Sequence, residues 1–452
     1  MPKLLLIAPR WGKEIMKNHF QFPPLGLAMV AAVTPPDFEV QIIDENVEPL
    51  DTTLAADIVG FTAMTCQVPR AYELCKIYRE RGVATVIGGS HPSLLPEESQ
   101  QHADSVVIGE AEEIWPQVLQ DFKSGTLKPT YKSGLVDIKA LPFPRRDLLK
   151  LKGYQQKFHT LQTTRGCPFD CEFCSVTTLF SRSYRTRPVD QVIKEIEQVL
   201  ASAEDRHTRR FFFVDDNIVA NPRYAKELFS KLIPYGIQWA SQGTITTFTK
   251  DEELLKLAKK SGCITMFVGF ESISEDNLIY VNKKFNRANE YDTNIRKIHK
   301  HGIGIIGSFI YGLEHDTPDT FKNTVAWAQE RGLEAANFSI LTPYPGTRLC
   351  ATMDAQNRVL SKDWSQYHAL TEEVLFRHNT LSAETLLQGT AWSWLKYYST
   401  RSILGRVLKS PRSGIRSLPM TLGYRRRAVA LRRKLRKQRA DIGSQPLKYC
   451  AH

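Results

Sequence analysis

The chain has 452 residues, of which 42% are hydrophobic and 24% charged. This ordinary globular composition excludes a wholly disordered chain and gives room for two or three domains. Its apolar runs are too short for a signal-peptide core or a membrane span, so we expect a cytoplasmic protein. The formal net charge is +12, and residues 401–439 hold 14 Lys and Arg and no acidic residue. The basic excess therefore lies in one C-terminal segment, which argues against nucleic-acid binding by the chain as a whole.

Strand-like and helix-like patterns alternate through the first quarter of the chain. Helices are predicted at 25–34 and 69–82, after runs that read as buried strands. The strands are predicted at 3–9, 38–44, 56–65, 83–89 and at the start of 103–122. This alternation predicts an α/β fold, a doubly wound Rossmann-like parallel sheet with a ligand crevice at the carboxyl ends of its strands.

A second alternating series begins near residue 156. Its six strands are predicted at 159–164, 209–216, 237–244, 264–272, 303–312 and 335–346. Six such units predict an open, partial (β/α)6 barrel with its active site at the carboxyl ends of the strands. We predict four segments, namely 1–125 as the Rossmann-like domain, 126–155 as a connector, 156–348 as the barrel and 349–452 as a helical region with a basic tail.

Three of the eight cysteines lie within eight positions, as Cys167, Cys171 and Cys174. The other five are interpreted as plain thiols: Cys66, Cys75, Cys263, Cys350 and Cys450. Structural zinc needs four protein ligands, and no further Cys or His follows Cys174 before His207. Three thiolates instead suit an iron-sulfur cluster that keeps one iron open for a substrate.

The cysteine loop resembles the radical S-adenosylmethionine (SAM) superfamily, whose CxxxCxxC motif has an aromatic residue before its third cysteine. That aromatic residue is Phe173 here. The resemblance implies that Cys167, Cys171 and Cys174 hold a 4Fe-4S cluster. Its fourth iron would bind SAM, and the reduced cluster would cleave SAM to a 5′-deoxyadenosyl radical.

The same resemblance implies further SAM contacts at the ends of two barrel strands. Asp215, Asp216 and Asn217 would receive the methionine amino group, and Glu271 with Ser272 would contact the ribose or carboxylate. The alternatives are ordinary helix caps at both places. Two later stretches, GSFIYGLEHDT and TPYPGT, resemble family signatures near the adenine, although their glycines also suit simple turns.

The first domain resembles the cobalamin-binding domain that precedes many radical SAM enzymes. The resemblance rests on GFTAMT at 60–65, GGSHPSLLPEE at 88–98 and VVIGEAEE at 106–113. It implies cobalamin contacts from Thr62, Thr65, Gly88 and Gly89, the glycines admitting a bulky ligand close to the backbone. A vestigial domain without cobalamin is the alternative.

The histidine that binds cobalt from below in classical cobalamin proteins has no counterpart. The DxHxxG motif is absent after the first strand, where the chain reads APRWGKEIMKNHF. His19 is a distant second candidate, and His91 suits a surface or cap position better than a ligand. We expect the loops at Arg10 and at Thr65–Gln67 to face the lower side of the corrin.

Taken together, these resemblances imply a cobalamin-dependent radical SAM enzyme, similar to the methyltransferases of that class and to hopanoid C-2 methylases. The expected reaction methylates an unactivated carbon of a lipid, a terpenoid or another small molecule, and the sequence identifies no catalytic residue beyond the cofactor ligands. An electron donor such as flavodoxin or ferredoxin is expected, and no nucleic acid. The alternatives are a non-methylating enzyme such as a tetrapyrrole cyclase, and an iron-sulfur or corrinoid sensor on a membrane.

The basic tail, YRRRAVALRRKLRKQRA at 424–440, places Ala428, Leu431 and Leu435 at helical spacing among its cations. Such a helix can lie on an anionic membrane surface, and a solvated or disordered tail is the alternative. RNA is a third interpretation, disfavoured because no aromatic-rich stacking surface accompanies the charge.

Overall fold

Two parallel six-stranded sheets follow one another along the chain. The computed structural model describes residues 1–11, 22–154, 158–202, 209–368, 373–409 and 411–442. The side chains of residues 152, 411–416 and 434–442 lie outside this description, as does His19.

The first sheet has the order β2-β1-β3-β4-β5-β6, with every pair parallel. Its strands are β1 (Lys3–Ala8), β2 (Glu39–Asp44), β3 (Ile58–Thr62), β4 (Ala84–Gly88), β5 (Ser105–Ile108) and β6 (Thr130–Lys132). Its helices are α1 (Leu25–Ala32), α2 (Val68–Glu80), α3 (Ser90–Leu94), α4 (Pro96–Gln100) and α5 (Trp115–Lys123). Separate hydrophobic clusters cover the two faces of the sheet. The doubly wound sheet predicted from the sequence is confirmed, with β6 as an additional strand inside the predicted connector.

The second sheet has the order β14-β13-β12-β11-β10-β7 and is the predicted partial barrel. Its strands are β7 (His159–Leu161), β10 (Arg210–Phe213), β11 (Gln238–Gln242), β12 (Cys263–Glu271), β13 (Gly304–Tyr311) and β14 (Ala335–Ile340). A small antiparallel ribbon joins β8 (Thr164–Arg165) to β9 (Arg185–Thr186). The surrounding helices are α6 (Ser175–Phe180), α7 (Val189–Ser202), α8 (Pro222–Leu232), α9 (Ile245–Thr249), α10 (Glu252–Lys260), α11 (Glu275–Tyr280), α12 (Tyr291–Lys300) and α13 (Asp319–Glu330).

The first predicted barrel strand, 159–164, is in fact interrupted. β7 ends at Leu161, and Thr164 begins the ribbon with β9 instead. The cause is Asp215, whose carboxylate accepts hydrogen bonds from the backbone N–H groups of Thr163 and Thr164, each at 2.7 Å. Those bonds turn the chain toward the cysteine loop.

The C-terminal part is helical, as predicted. Its helices are α14 (Arg348–Ala355), α15 (Ala383–Tyr397), α16 (Thr400–Lys409) and α17 (Pro411–Ile442). Short 3-10 segments occur at Thr65–Gln67, Arg146–Leu148, Leu151–Gly153, Ile233–Tyr235, Ala288–Glu290 and Trp364–Gln366. Within the described ranges, no helix combines the length and the apolar character needed to cross a membrane.

Candidate active site

The cysteine loop leaves β8 at the carboxyl end of the barrel. It begins at Gly166, whose φ is +87° and where a Cβ atom would lie 2.2 Å from the carbonyl oxygen of Ser183. Only glycine fits this position without strain. Cys171 is buried, while Cys167 and Cys174 are partly exposed. The loop therefore presents three thiols at the end of the barrel where such folds bind their ligands.

A buried cation faces the three thiols. Burial raises the pKa of each thiol, that of Cys171 to about 12, while the ammonium of Lys283 acts on all three in the opposite direction. A neighbouring positive charge favours thiolates, which are the form that binds iron. Three thiols with a neighbouring cation fit a 4Fe-4S cluster with one open iron.

Lys283 is itself held by Glu271, and sequence reasoning missed it. Its Nζ lies 2.5 Å from Oε1 of Glu271, and both residues are buried. Burial alone would lower the pKa of Lys283, but Glu271 and the thiols raise it overall. A Cβ at Gly269 would lie 2.3 Å from that Oε1 and 2.9 Å from Nζ, so the absence of a side chain at Gly269 makes room for the pair.

Glu271 adopts a backbone conformation that is uncommon for a residue with a side chain. Its φ is +61°, and the pairing of β12 with β13 shifts register between Gly269 and Glu271. Such strain concentrates at functional positions. The prediction placed Glu271 and Ser272 at the end of the fourth barrel strand, and β12 does end at Glu271. The hydroxyl of Ser272 accepts the backbone N–H of Ser274 at 3.1 Å.

The three residues after β10 differ in their contacts. Asp215 is fully buried, and burial raises its pKa to about 7 even though the donors of Thr163 and Thr164 oppose this shift. Asp216 accepts the backbone N–H of Gly166 at 2.8 Å, directly before the first cysteine. Asn217 Nδ2 lies 4.0 Å from Sγ of Cys167. Asp216 and Asn217 thus reach the cysteine loop, whereas Asp215 holds the turn before it.

Phe173, predicted from the superfamily motif, is half-buried against the barrel core. Its ring centroid lies 6.0 Å from Nζ of Lys283, and that of Phe285 lies 5.7 Å from the same atom. Phe285 also stacks on Phe169. The cation and its neighbouring thiols are therefore partly walled off by aromatic rings, which lowers the local dielectric and strengthens their interaction.

A cavity of about 280 Å³ lies at the first sheet and reaches β8 and α6 on the barrel side. Its walls come from β1, β3, β4, β5, α1, α3 and the start of α5, joined by Arg165, Leu179 and Phe180. Gly26 in α1 lines it, and a Cβ there would meet no atom within 4 Å. At Gly60 a Cβ would lie 2.9 Å from Leu6 and 3.2 Å from Trp115. These glycines keep the apolar cavity wide enough for part of a large ligand.

Three of the four residues predicted to contact cobalamin line this cavity, namely Thr62, Gly88 and Gly89. Gly89 has a φ of +106°, and a Cβ there would lie 2.8 Å from backbone atoms of Ala63, so only glycine fits. Thr65 is not among the described residues that line the cavity. It lies in the buried 3-10 segment Thr65–Gln67.

Of the two histidines considered as cobalt ligands, the structure describes His91. His91, expected at a surface or cap position, is instead fully buried, 3.4 Å from Glu98 and packed against Trp364, and it is absent from the described cavity wall. Burial lowers its pKa, although Glu98 opposes this. The two loops expected to face the lower side of the corrin meet each other, because Nε2 of Gln67 donates to the carbonyl oxygen of Pro9 at 2.7 Å.

Charged residues connect the cavity to the cysteine loop. Arg165, two positions before Cys167, pairs with Glu112 at 2.7 Å and with Glu110 at 3.3 Å. Arg185 donates to Glu110 as well, at 2.5 Å. Burial would raise the pKa of Glu110, but Arg185 and Arg165 lower it overall. The acidic residues of the GEAEE stretch therefore tie the first sheet to the cluster side, a role the sequence did not reveal.

Two models of known families match separate parts of the chain. A model of the radical SAM superfamily matches residues 161–328, and a model of the B12 binding domain matches residues 16–119. The first match contains the cysteine loop, and the second contains all the glycines that line the cavity.

Curated relatives cover most of the chain. It is 31% identical over 417 residues to the bacteriochlorophyllide d C-12(1)-methyltransferase of Chlorobaculum tepidum, with 90% of each chain covered. It is 25% identical to the hopanoid C-2 methylase of Rhodopseudomonas palustris, covering 80% of this chain and 72% of that one. An anaerobic magnesium-protoporphyrin IX monomethyl ester cyclase of Cereibacter sphaeroides is 26% identical over 77% of this chain and 61% of its own length.

A solved structure shares the whole fold. The cobalamin-dependent S-adenosylmethionine radical enzyme OxsB, with aqua-cobalamin and S-adenosylmethionine bound, superimposes with a TM-score of 0.67 at 14% identity. The alignment covers 99% of this chain and 82% of OxsB. At this identity the likeness concerns the fold.

Proposed function

The chain belongs to the cobalamin-dependent radical SAM enzymes, and we propose that it transfers a methyl group to an unactivated carbon of an apolar, ring-containing small molecule. Its cofactors are a 4Fe-4S cluster, SAM and cobalamin, as predicted. The observation that carries the proposal is the joint presence of the cysteine loop and the glycine-lined cavity, linked through Arg165. Membership of this family makes the chain an enzyme, so the sensor alternative is set aside.

We propose that Cys167, Cys171 and Cys174 hold the cluster, and that Thr62, Gly88 and Gly89 contact cobalamin. When bound, the cluster supplies the electron that cleaves SAM, and cobalamin carries the methyl group. This chain's residues bind and orient those groups and keep water away from them. Thr65 stays a prediction, in a segment adjacent to the cavity rather than in its described wall.

Around SAM, the proposed contacts are Asp216 and Asn217 for the amino group and Glu271 for the ribose. Lys283 adds a cation suited to the carboxylate, because a buried ammonium attracts an anion strongly. Ser272 and Phe173 complete the predicted set. For Asp215 the hydrogen bonds from the two threonines favour a positioning role over direct contact with SAM.

The substrate is proposed to lie at the open barrel mouth. Alternate residues of β10 and β12 point inward, because Phe211, Phe213 and Val268 pack outward in the core. The inward rings of Phe212 and Phe267 meet edge to face at 5.7 Å, and Phe22 stacks on Phe212 at 4.4 Å. A wall of half-buried aromatic rings favours a broad apolar substrate, a lipid, a terpenoid or a tetrapyrrole.

Both relatives named as methylases act on ring systems, which supports methyl transfer as the reaction. The cyclase relative supports the second candidate, a radical reaction without methyl transfer on a tetrapyrrole. The methylases favour the first candidate because the highest identity given above, 31% over 90% of the chain, belongs to one of them.

The partners and segment boundaries are proposals as well. A small-molecule substrate is consistent with the relatives, and we propose flavodoxin or ferredoxin as electron donor and peripheral membrane contact through the basic C-terminal segment of a cytoplasmic enzyme. The boundaries 1–125, 126–155, 156–348 and 349–452 stay predictions.

The experiment uses anaerobically purified full-length protein loaded with iron, sulfide and cobalamin. It is given a reductant, SAM with a deuterated methyl group, and either bacteriochlorophyllide d or a hopanoid as probe. We expect the mass of a probe to increase by one deuterated methyl group, and we expect S-adenosylhomocysteine and 5′-deoxyadenosine to form from SAM. Formation of 5′-deoxyadenosine with a modified but unmethylated tetrapyrrole would instead favour the cyclase-type reaction.

A further inference from the structure

We infer that α16 and α17 present a surface that docks on an anionic lipid bilayer. This surface, here called the outer face, consists of Leu404, Leu408, Leu422, Arg426, Val429 and Arg433. The inference rests on the membrane contact proposed above and names the surface and the lipid charge that make it, and it concerns where the enzyme works rather than what reaction it performs.

The two helices are fixed to the barrel by their inner sides. In α16, Arg406 is buried, donates to the carbonyl oxygen of Tyr397 at 2.8 Å and lies 3.8 Å from the centroid of its ring. In α17, Ala428 is buried in the barrel core, and Tyr424 and Leu431 pack against it. The prediction that Ala428 and Leu431 face a membrane is therefore wrong, because both pack on the barrel instead. The orientation of both helices is therefore set by packing, and their outer residues are held outward.

The outer face exposes large aliphatic side chains at helical spacing. Leu404 and Leu408, one turn apart on α16, are 59% and 79% exposed, and Leu422 and Val429, two turns apart on α17, are 45% and 38% exposed. Single exposed aliphatic residues are common, but four on two helices that pack together indicate a contact surface.

Positive charge accompanies this apolar surface. Arg426 and Arg433 share the exposed side of α17 with Leu422 and Val429, at spacings of three, four and seven residues. The segment 401–439 contains no acidic residue that would neutralise them. Aliphatic side chains flanked by arginines are typical of helices that lie in the interface of an anionic membrane.

The charge and composition of the outer face favour an anionic bilayer over other binding partners. A second copy of the chain would bring the same positive surface against itself, and like charges repel. Single-stranded nucleic acid binds through aromatic stacking, whereas the exposed large apolar residues described on α16 and α17 are leucine and valine. An anionic bilayer satisfies both the aliphatic side chains and the arginines.

The test is sedimentation of the full-length, cofactor-loaded enzyme with vesicles. One set contains phosphatidylcholine alone, and the other contains phosphatidylcholine mixed with phosphatidylglycerol. We expect sedimentation with the anionic vesicles at least tenfold above that with neutral vesicles, and release by high salt. Equal sedimentation with both, or none with either, would overturn the inference, as would binding of a single-stranded RNA that competes with the vesicles.

A matched pair of variants locates the contact. Leu404→Asp with Leu408→Asp places two carboxylates in the outer face, and Leu135→Asp with Leu360→Asp places two on exposed positions elsewhere, 46% and 51% exposed. We expect the first variant to lose vesicle binding at least tenfold and the second to keep it. Equal effects of the two variants would contradict the inference. Both should cleave SAM at the wild-type rate, so a failed membrane contact is distinguishable from a failed enzyme assignment.

Discussion

The ammonium of Lys283 lies 2.5 Å from a carboxylate oxygen of Glu271, and both side chains are at most a tenth exposed beside the cysteine loop. Either charge alone would destabilise the folded protein, because a buried charge without a partner costs several kcal/mol. The pair thus keeps a cation near three thiols while remaining neutral as a unit.

Lys283→Gln should lower SAM cleavage by more than tenfold and destabilise the protein by about 3 kcal/mol, because Glu271 is left buried and unpaired. Combining it with Glu271→Gln should restore most of the stability without restoring SAM cleavage. The measurements are thermal unfolding and 5′-deoxyadenosine formation at several SAM concentrations. Recovery of both quantities in the double variant would mean that the pair is structural only.

Gly26→Leu should abolish cobalamin binding while the iron content stays at the wild-type level. Gly26 lies in α1 and opens on the cavity, so the new side chain occupies cavity space without distorting the helix. Cobalamin content is read from the absorbance of the purified protein, and iron by chemical assay. Gly405→Leu, also a helical glycine with open space around it, is the control and should retain cobalamin. Full cobalamin retention in Gly26→Leu would place the cofactor elsewhere.

Glu112→Gln should separate SAM cleavage from methyl transfer. The variant removes one of the two carboxylates that hold Arg165 but leaves Glu110 in place. We expect 5′-deoxyadenosine formation within twofold of wild type and a tenfold loss of cobalamin-dependent S-adenosylhomocysteine formation, equivalent to about 1.4 kcal/mol. Glu113→Gln, at the exposed neighbouring position, is the control. A parallel loss of both products in Glu112→Gln would contradict a role in linking the two cofactor sites.

Asp316 should make the protein less stable as the pH rises toward neutrality. Burial raises its pKa to about 6 from an ordinary value of 3.8, despite hydrogen bonds from the backbone of Gly312 and Leu313. The folded state then binds more protons than the unfolded state between these values. The contribution of Asp316 to the free energy of unfolding is fully present below pH 4, and it falls by about 3 kcal/mol as the pH rises through 6. Melting temperatures of the wild type should fall more between pH 4 and pH 7 than those of Asp316→Asn, and parallel curves would contradict this.

Much of the architecture follows from local pattern. The six barrel strands were predictable because buried strands and amphipathic helices alternate with clear periods, and the cysteine loop because its spacing is rare. The break after Leu161 was not predictable. It depends on Asp215, more than fifty residues away, whose hydrogen bonds redirect the chain.

The site residues that the sequence did not reveal, Lys283 and Gly26, also depend on long-range or irregular structure. Lys283 and Lys284 are adjacent and chemically identical, yet one is buried at the site and the other is exposed. The choice is made by the turn at Asn282, with a φ of +53°, which no periodicity predicts. Likewise, the sequence shows Gly26 only as an ordinary residue of a helix. Gly26 lines the cavity because of where α1 packs, and no local pattern predicts that packing.

We propose, above all, that this chain cleaves SAM with its cysteine-bound cluster and passes methyl groups through cobalamin. The most direct measurement quantifies 5′-deoxyadenosine and S-adenosylhomocysteine from SAM, with reductant, in the presence and absence of cobalamin, for the wild type and for Cys171→Ala. We expect both products in the wild type, S-adenosylhomocysteine only with cobalamin, and no 5′-deoxyadenosine from Cys171→Ala. Iron-loaded wild-type protein that forms no 5′-deoxyadenosine, or that forms S-adenosylhomocysteine equally well without cobalamin, would contradict this proposal.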